Sequence, residues 1–131
     1  MKEIGELFQS SDWKKEKHVP VIEIEGQVTK DKPVNLRVEV GKEIPHPNTT
    51  EHHIEWIEVF FLPSGEKFSY SIGRCSFPAH GASAQGPNTS TVYTSPAVVL
   101  SFKTEKPGTL YAVSSCNIHG LWTDKIELEL E

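Results

Sequence analysis

Strict alternation over Val34-Asn35-Leu36-Arg37-Val38-Glu39-Val40 constrains this chain more than any other stretch. Apolar residues at a period of two place one face in a core and leave the other in water, the signature of a half-buried β-strand. Weaker versions of the pattern make strands of Val19 to Val28, Ile54 to Leu62, Phe68 to Ile72, Ala97 to Thr104, Thr109 to Ser114 and Ile126 to Leu130. Turn-forming runs separate them at Asp31-Lys32-Pro33, Pro63-Ser64-Gly65 and Lys106-Pro107-Gly108. No stretch sustains a 3.6-residue period, although Ile4, Leu7 and Phe8 could form one amphipathic turn. About seven short strands at this spacing imply an all-β chain folded as an antiparallel sandwich.

The 131 residues suit a single domain spanning 1–131, with 1–18 as a polar, charged N-terminal segment. Hydrophobic residues make up 37% and charged residues 24%, a balance that builds a core rather than a disordered chain. A net charge of -5 argues against nucleic acid or an anionic membrane as partner. Met1-Lys2-Glu3-Ile4-Gly5 leads into no apolar signal core, so a cytoplasmic location is expected. In that compartment the sequons at Asn48 and Asn88 carry no information.

Two long segments break the β rhythm. Gly41 to His53 holds three of the six histidines, and Phe77 to Ser90 is a polar excursion with His80 to which the sequence assigns no role. Near the C-terminus, Ser114-Ser115-Cys116-Asn117-Ile118-His119-Gly120 reads as a loop between two strands. A thiolate and an imidazole three residues apart can grip one metal ion there. The amides of Asn117, Ile118 and His119 can turn back on the sulfur, and such donors favour a thiolate.

His46 sits in Ile44-Pro45-His46-Pro47, where flanking prolines restrict the backbone to extended conformations. His52 and His53 are adjacent at a strand entrance, so at most one faces a common site, and parity does not say which. Taken singly, each histidine is an ordinary solvated or hydrogen-bonded side chain. Several at strand ends beside Cys-x-x-His make a shared metal site the better explanation. The other cysteine, Cys75, reads as a small buried hydrophobe. A Cys75–Cys116 disulfide in a metal-free binding module is the bland alternative, disfavoured in a reducing compartment and without a Trp between the cysteines.

Structural zinc takes four ligands, and four imidazoles with a thiolate exceed that. Blue copper takes two His, a Cys and usually an axial Met, but the only Met is Met1. A copper or iron electron carrier with no open coordination position is the runner-up. Four imidazoles and a thiolate suit iron and leave one position open for chemistry.

Glu16-Lys17-His18-Val19-Pro20, His46-Pro47 with His52-His53, and Cys116-Asn117-x-His119, in this order, resemble superoxide reductase and more narrowly its single-iron neelaredoxin type. The resemblance spans essentially the whole chain. It implies one mononuclear iron per chain held by His18, His46, His52, His119 and Cys116, choosing His52 over His53. It also implies an immunoglobulin-like sandwich, a homotetramer, and reduction of superoxide to hydrogen peroxide without dioxygen release. A rubredoxin-like donor would return the electron. Glu16 resembles the carboxylate that fills the open position in the ferric state, and Lys17 the cation that draws in superoxide. The N-terminal segment would thus contribute to the site, and the second iron centre of the desulfoferrodoxin type is not expected.

Overall fold

The computed structural model describes all 131 residues. A 3₁₀ turn at Ile4–Leu7 leads into a two-residue strand β1 (Phe8–Gln9). Seven longer strands follow: β2 (Pro20–Glu25), β3 (Val34–Val40), β4 (Ile54–Pro63), β5 (Tyr70–Ser76), β6 (Ala97–Phe102), β7 (Gly108–Cys116) and β8 (Gly120–Leu128). They form two sheets, one of order β1-β8-β7-β4-β5 and one of order β2-β3-β6. The chain is therefore a β-sandwich, antiparallel except where β1 runs parallel to β8. No helix is long and apolar enough to cross a membrane.

The alternating stretch is β3, residue for residue, and Val34, Leu36, Val38 and Val40 are all buried. They join Ile54, Ile57, Val59, Phe61, Leu110, Ala112 and Leu128 of the other sheet in one core. The turn around Ile4 and Leu7 buries nothing. Strand β5 begins two residues later than Phe68 and runs on to Ser76, because it lies at a sheet edge and buries no residue fully. Cys75 on that strand is only partly buried against the core, not fully enclosed as expected, and both cysteines are free.

The largest departure is at the C-terminus. Strand β8 begins at Gly120 rather than Ile126, and β7 runs through Cys116. Cys116 therefore ends a strand, and only Asn117, Ile118 and His119 form the connection. Gly120, with φ of 78°, takes the left-handed conformation that returns the chain to the sheet after so short a loop. The polar first half of β8 concealed it, since Trp122 to Lys125 lack the apolar alternation.

Leu36 has no exposed surface, whereas Val99 on the neighbouring strand is 62% exposed. Leu36→Ala should destabilise the fold by about 2–5 kcal/mol in urea denaturation. Val99→Ala should stay within about 0.5 kcal/mol of the native chain. Similar losses at both would contradict this assignment of the inner face.

Candidate metal centre

Three separate pieces of chain bring four histidines to one end of the sandwich. His18 immediately precedes Val19 and β2, and Ser114 Oγ on β7 donates to its carbonyl at 3.0 Å. His46 and His52 lie on the connection between β3 and β4, and His119 closes the β7–β8 hairpin. Gly41 (φ 87°) lets the chain turn tightly out of β3, because a Cβ there would lie 2.8 Å from the His46 amide nitrogen.

The imidazole centroids form a closed quadrilateral. Its sides are 4.8 Å (His18–His46), 4.8 Å (His46–His52), 5.0 Å (His52–His119) and 4.8 Å (His119–His18), and the His18–His52 diagonal is 6.3 Å. Neighbouring rings are steeply inclined, between 58° and 79°, as blades around a common centre. Ligand atoms of His18, His52, Cys116 and His119 all lie within 4.8 Å of one another. The sulfur is 3.8 Å from His119 Nδ1, which in turn is 3.1 Å from His18 Nε2.

The outer nitrogens show which inner ones are free. His46 Nδ1 donates to the Pro47 carbonyl at 2.6 Å, and Glu16 Oε1 holds His18 Nδ1 at 2.7 Å. Such bonds fix the tautomer and leave Nε2 as the lone-pair atom. Nε2 of His46 and of His52 are buried with no hydrogen-bond partner. Buried polar atoms are rarely left so, and a missing ion is one of the few explanations. Burial holds His46 at about 4 against a usual 6.5, the Pro47 carbonyl pulling upward and the charges of His18, His52 and Lys17 pushing down. Burial first, then the charges of His119, His18, Lys17 and His53, lower His52 as well. Both rings are thus neutral at physiological pH, the form that binds a metal. The His18 hydrogen bond is the main reason the Glu16 carboxyl lies below its usual range.

His18, His46, His52, Cys116 and His119, which the sequence singled out, stand together. His53 instead turns its Nδ1 to the Thr49 carbonyl at 2.9 Å and stacks on His80, centroids 3.6 Å apart and planes within 5°. Parity could not separate His52 from His53 because both precede β4, whose first residues are bulged between Ile54 and Trp56. Of the three amides expected to face the sulfur, His119 N does so at 3.4 Å. The Asn117 amide donates to the His53 carbonyl at 3.2 Å instead, because its side chain also ties the two loops together. That side chain accepts from His53 N at 2.9 Å and donates to the Glu51 carbonyl at 2.9 Å.

Trp122 went unnoticed in the sequence. Its ring stacks on His18 at 4.8 Å and 14°, and its Nε1 donates to the His119 carbonyl at 3.1 Å. One side chain thereby steadies two histidines. The usable signal was hairpin length: a three-residue connection puts Trp122 opposite Ser114, at the same end of the sheet as the cysteine.

The fold and this donor set define a β-sandwich protein with a histidine–cysteine cluster able to hold a metal ion, buried on the His18 and His46 side and exposed at His119. Residues 10–125 match the desulfoferrodoxin family model, and the chain belongs to that family. It is 59% identical over 126 residues to the superoxide reductase of Pyrococcus furiosus, covering 96% of this chain and 99% of that one. It is 54% identical over 117 residues to the neelaredoxin of Megalodesulfovibrio gigas, covering 89% of this chain and 90% of that protein. The reduced neelaredoxin-type superoxide reductase of Archaeoglobus fulgidus superposes with a TM-score of 0.90 at 61% identity, covering 95% of this chain and 99% of its own.

A histidine with a depressed folded pKa takes up fewer protons folded than unfolded once the pH drops below its usual value. Its contribution to stability is full above about 6.5 and drains away as pH falls toward about 4, the folded value for His46. The denaturation midpoint of metal-free protein should therefore fall across that window, and His46→Gln should flatten the fall. A midpoint that His46→Gln leaves with the same pH profile would contradict this.

Proposed function

We propose that this chain is a superoxide reductase built on a mononuclear iron centre with His18, His46, His52, His119 and Cys116 as ligands. The observation that carries the reading is the near-square of four imidazoles with two buried, unpartnered Nε2 atoms beside a free thiol. Five donors exceed a zinc tetrahedron, and an anionic sulfur among imidazoles suits iron. Iron held there would supply one electron by passing from ferrous to ferric, so that superoxide and two protons would become hydrogen peroxide with no dioxygen formed. A copper carrier with an axial methionine is disfavoured, because Met1 is fully exposed at the N-terminus.

The chain's own residues divide the remaining work. His46 and His52, neutral and desolvated, offer lone pairs without first losing protons. Cys116 adds a soft, electron-donating anion. Lys17 raises the local potential, and its charge is felt at both His46 and His52. At physiological ionic strength the Debye length is about 8 Å, so nearby charges outweigh a net charge of -5. Glu16 accepts from both the ring and the amide of His18, and we assign it as the carboxylate that would bind the oxidised iron. The likeness to the neelaredoxin type extends the reading to a rubredoxin-like donor, a homotetramer and a cytoplasmic setting, the last in keeping with two free cysteines.

Purified protein should contain one iron per chain and consume superoxide without evolving dioxygen. Cys116→Ser should remove both the thiolate-to-ferric absorption band and the activity. Cys75→Ser should keep both, at some cost in stability from lost packing. Equal loss in the two variants would defeat this division of roles.

A unit charge about 6 Å from the reacting anion, at an effective dielectric of about 40, contributes roughly 1.4 kcal/mol. Lys17→Ala should accordingly slow the second-order reaction about tenfold and weaken its dependence on salt. Stopped-flow mixing of reduced variants with superoxide measures this. An unchanged rate and salt slope would remove Lys17 from the approach path.

A further inference from the structure

The excursion from Phe77 to Ser90 has no part in the chemistry above, yet its contacts are concentrated on the connection that carries His46 and His52. Asn88 Oδ1 accepts from the Thr50 amide at 2.9 Å, and the Asn88 amide donates to Thr50 Oγ1 at 3.0 Å. Asn88 Nδ2 reaches both Glu51 carboxylate oxygens, at 2.9 and 2.8 Å. Thr50 Oγ1 donates in turn to the His80 carbonyl at 2.7 Å. His80 Nδ1 meets Asn48 Oδ1 at 2.7 Å, Nε2 meets the Phe77 carbonyl, and the ring lies flat on His53. Residues 48, 50, 51 and 53, all within two positions of a proposed ligand, are thus gripped by one neighbouring segment.

That segment has an ordered shape of its own. Thr89 and Ser90 both donate to the Gly81 carbonyl, at 2.8 and 2.9 Å, and Ser83 and Gly86 exchange backbone bonds. Asn88 is the one non-glycine residue with positive φ, 56°, a left-handed conformation that asparagine tolerates better than most residues. The strain is accepted where the side chain makes its three bonds to Thr50 and Glu51.

Two desolvated imidazoles converging on one point have no mutual attraction to keep them there. Something outside the ligand set must hold their loop. We propose that the Phe77–Ser90 segment is the element that positions His46 and His52, with Asn88 as its principal positioning residue. The proposal rests on the reading of these histidines as metal ligands.

Asn88→Gly removes the side chain without adding backbone strain, since glycine adopts positive φ freely. In metal-free protein, amide hydrogen exchange at His52 should quicken at least tenfold, although its acceptor, Thr49 Oγ1, is untouched by Asn88. Exchange at Leu36, in the distant sheet, should not change. In iron-loaded protein, release of iron to excess chelator should be about tenfold faster, in line with other outer-sphere losses, and the ferric absorption band should shift. Asn88→Asp should behave similarly, because it sets a second carboxylate against Glu51. Adding Glu51→Gln to Asn88→Asp exchanges donor and acceptor across the same contact and should restore slow exchange and slow release. Unchanged His52 exchange in Asn88→Gly, an equal rise at Leu36, or no rescue in the double variant would each overturn the proposal. Native protein that binds no iron would instead overturn the function proposed above, while the metal-free exchange measurements still decide the role of Asn88.

Discussion

Two imidazole nitrogens, Nε2 of His46 and of His52, are buried and find no hydrogen-bond partner within the chain, and much of the surrounding structure fixes the rings that carry them. Leaving one buried polar atom unsatisfied costs about 1–3 kcal/mol. Two such atoms side by side would normally be relieved by rotation, hydration or collapse of the loop. Here the Pro47 carbonyl fixes one ring, the prolines flanking His46 restrict its backbone, and Gly41 permits the turn that brings it in. The two rings are held in place by the chain around them.

The framework that does this is spread over the whole chain. Strand β7 lies between β4 and β8, so its last residue, Cys116, meets the incoming end of β4 and turns directly into His119. Asn117 sews that turn to the His52 loop, and Ser114 anchors His18 from the same strand. The bulge at the start of β4 leaves Glu55 without a partner residue in the ladder, and its carboxylate accepts from Ser115 Oγ at 3.0 Å. One irregularity of β4, between Ile54 and Trp56, falls at the end of the sandwich where the donors meet, and a second, between Val59 and Phe60, faces the edge strand β5. The other face of the core is ordinary alternating β-structure.

Electrostatics divide in the same way. The chain is acidic as a whole, but Lys17 directly precedes His18, and the acidic neighbours Glu16 and Glu51 are occupied with His18 and Asn88. Trp13 lies between the ammonium groups of Lys14 and Lys42, 5.6 and 5.7 Å from its ring, and Lys42 also pairs with Glu23 at 2.7 Å. The Lys42 contact ties Trp13 of the N-terminal segment to the residue that follows Gly41 at the end of β3.

Period-two alternation by itself determined β3 and most of the strand inventory, because a strand with one wet face must write that face into its residues. The donor types were equally legible: histidines and cysteines are few, and their order along the chain matched a known pattern. What only the tertiary structure decided was how those donors are aimed. The resemblance had already chosen His52 over His53, but the physical reason, a bulge at the start of β4 that strand parity could not anticipate, leaves no period in the sequence. Trp122 and Asn117 act through a hairpin whose length fixed their places, and β8 was too polar at its start to reveal it. His80 and Asn88 are polar residues in a polar loop, indistinguishable in sequence from solvated ones. Their significance comes from what they touch, and contacts between residues 30 or more apart in the chain exist only after it has folded.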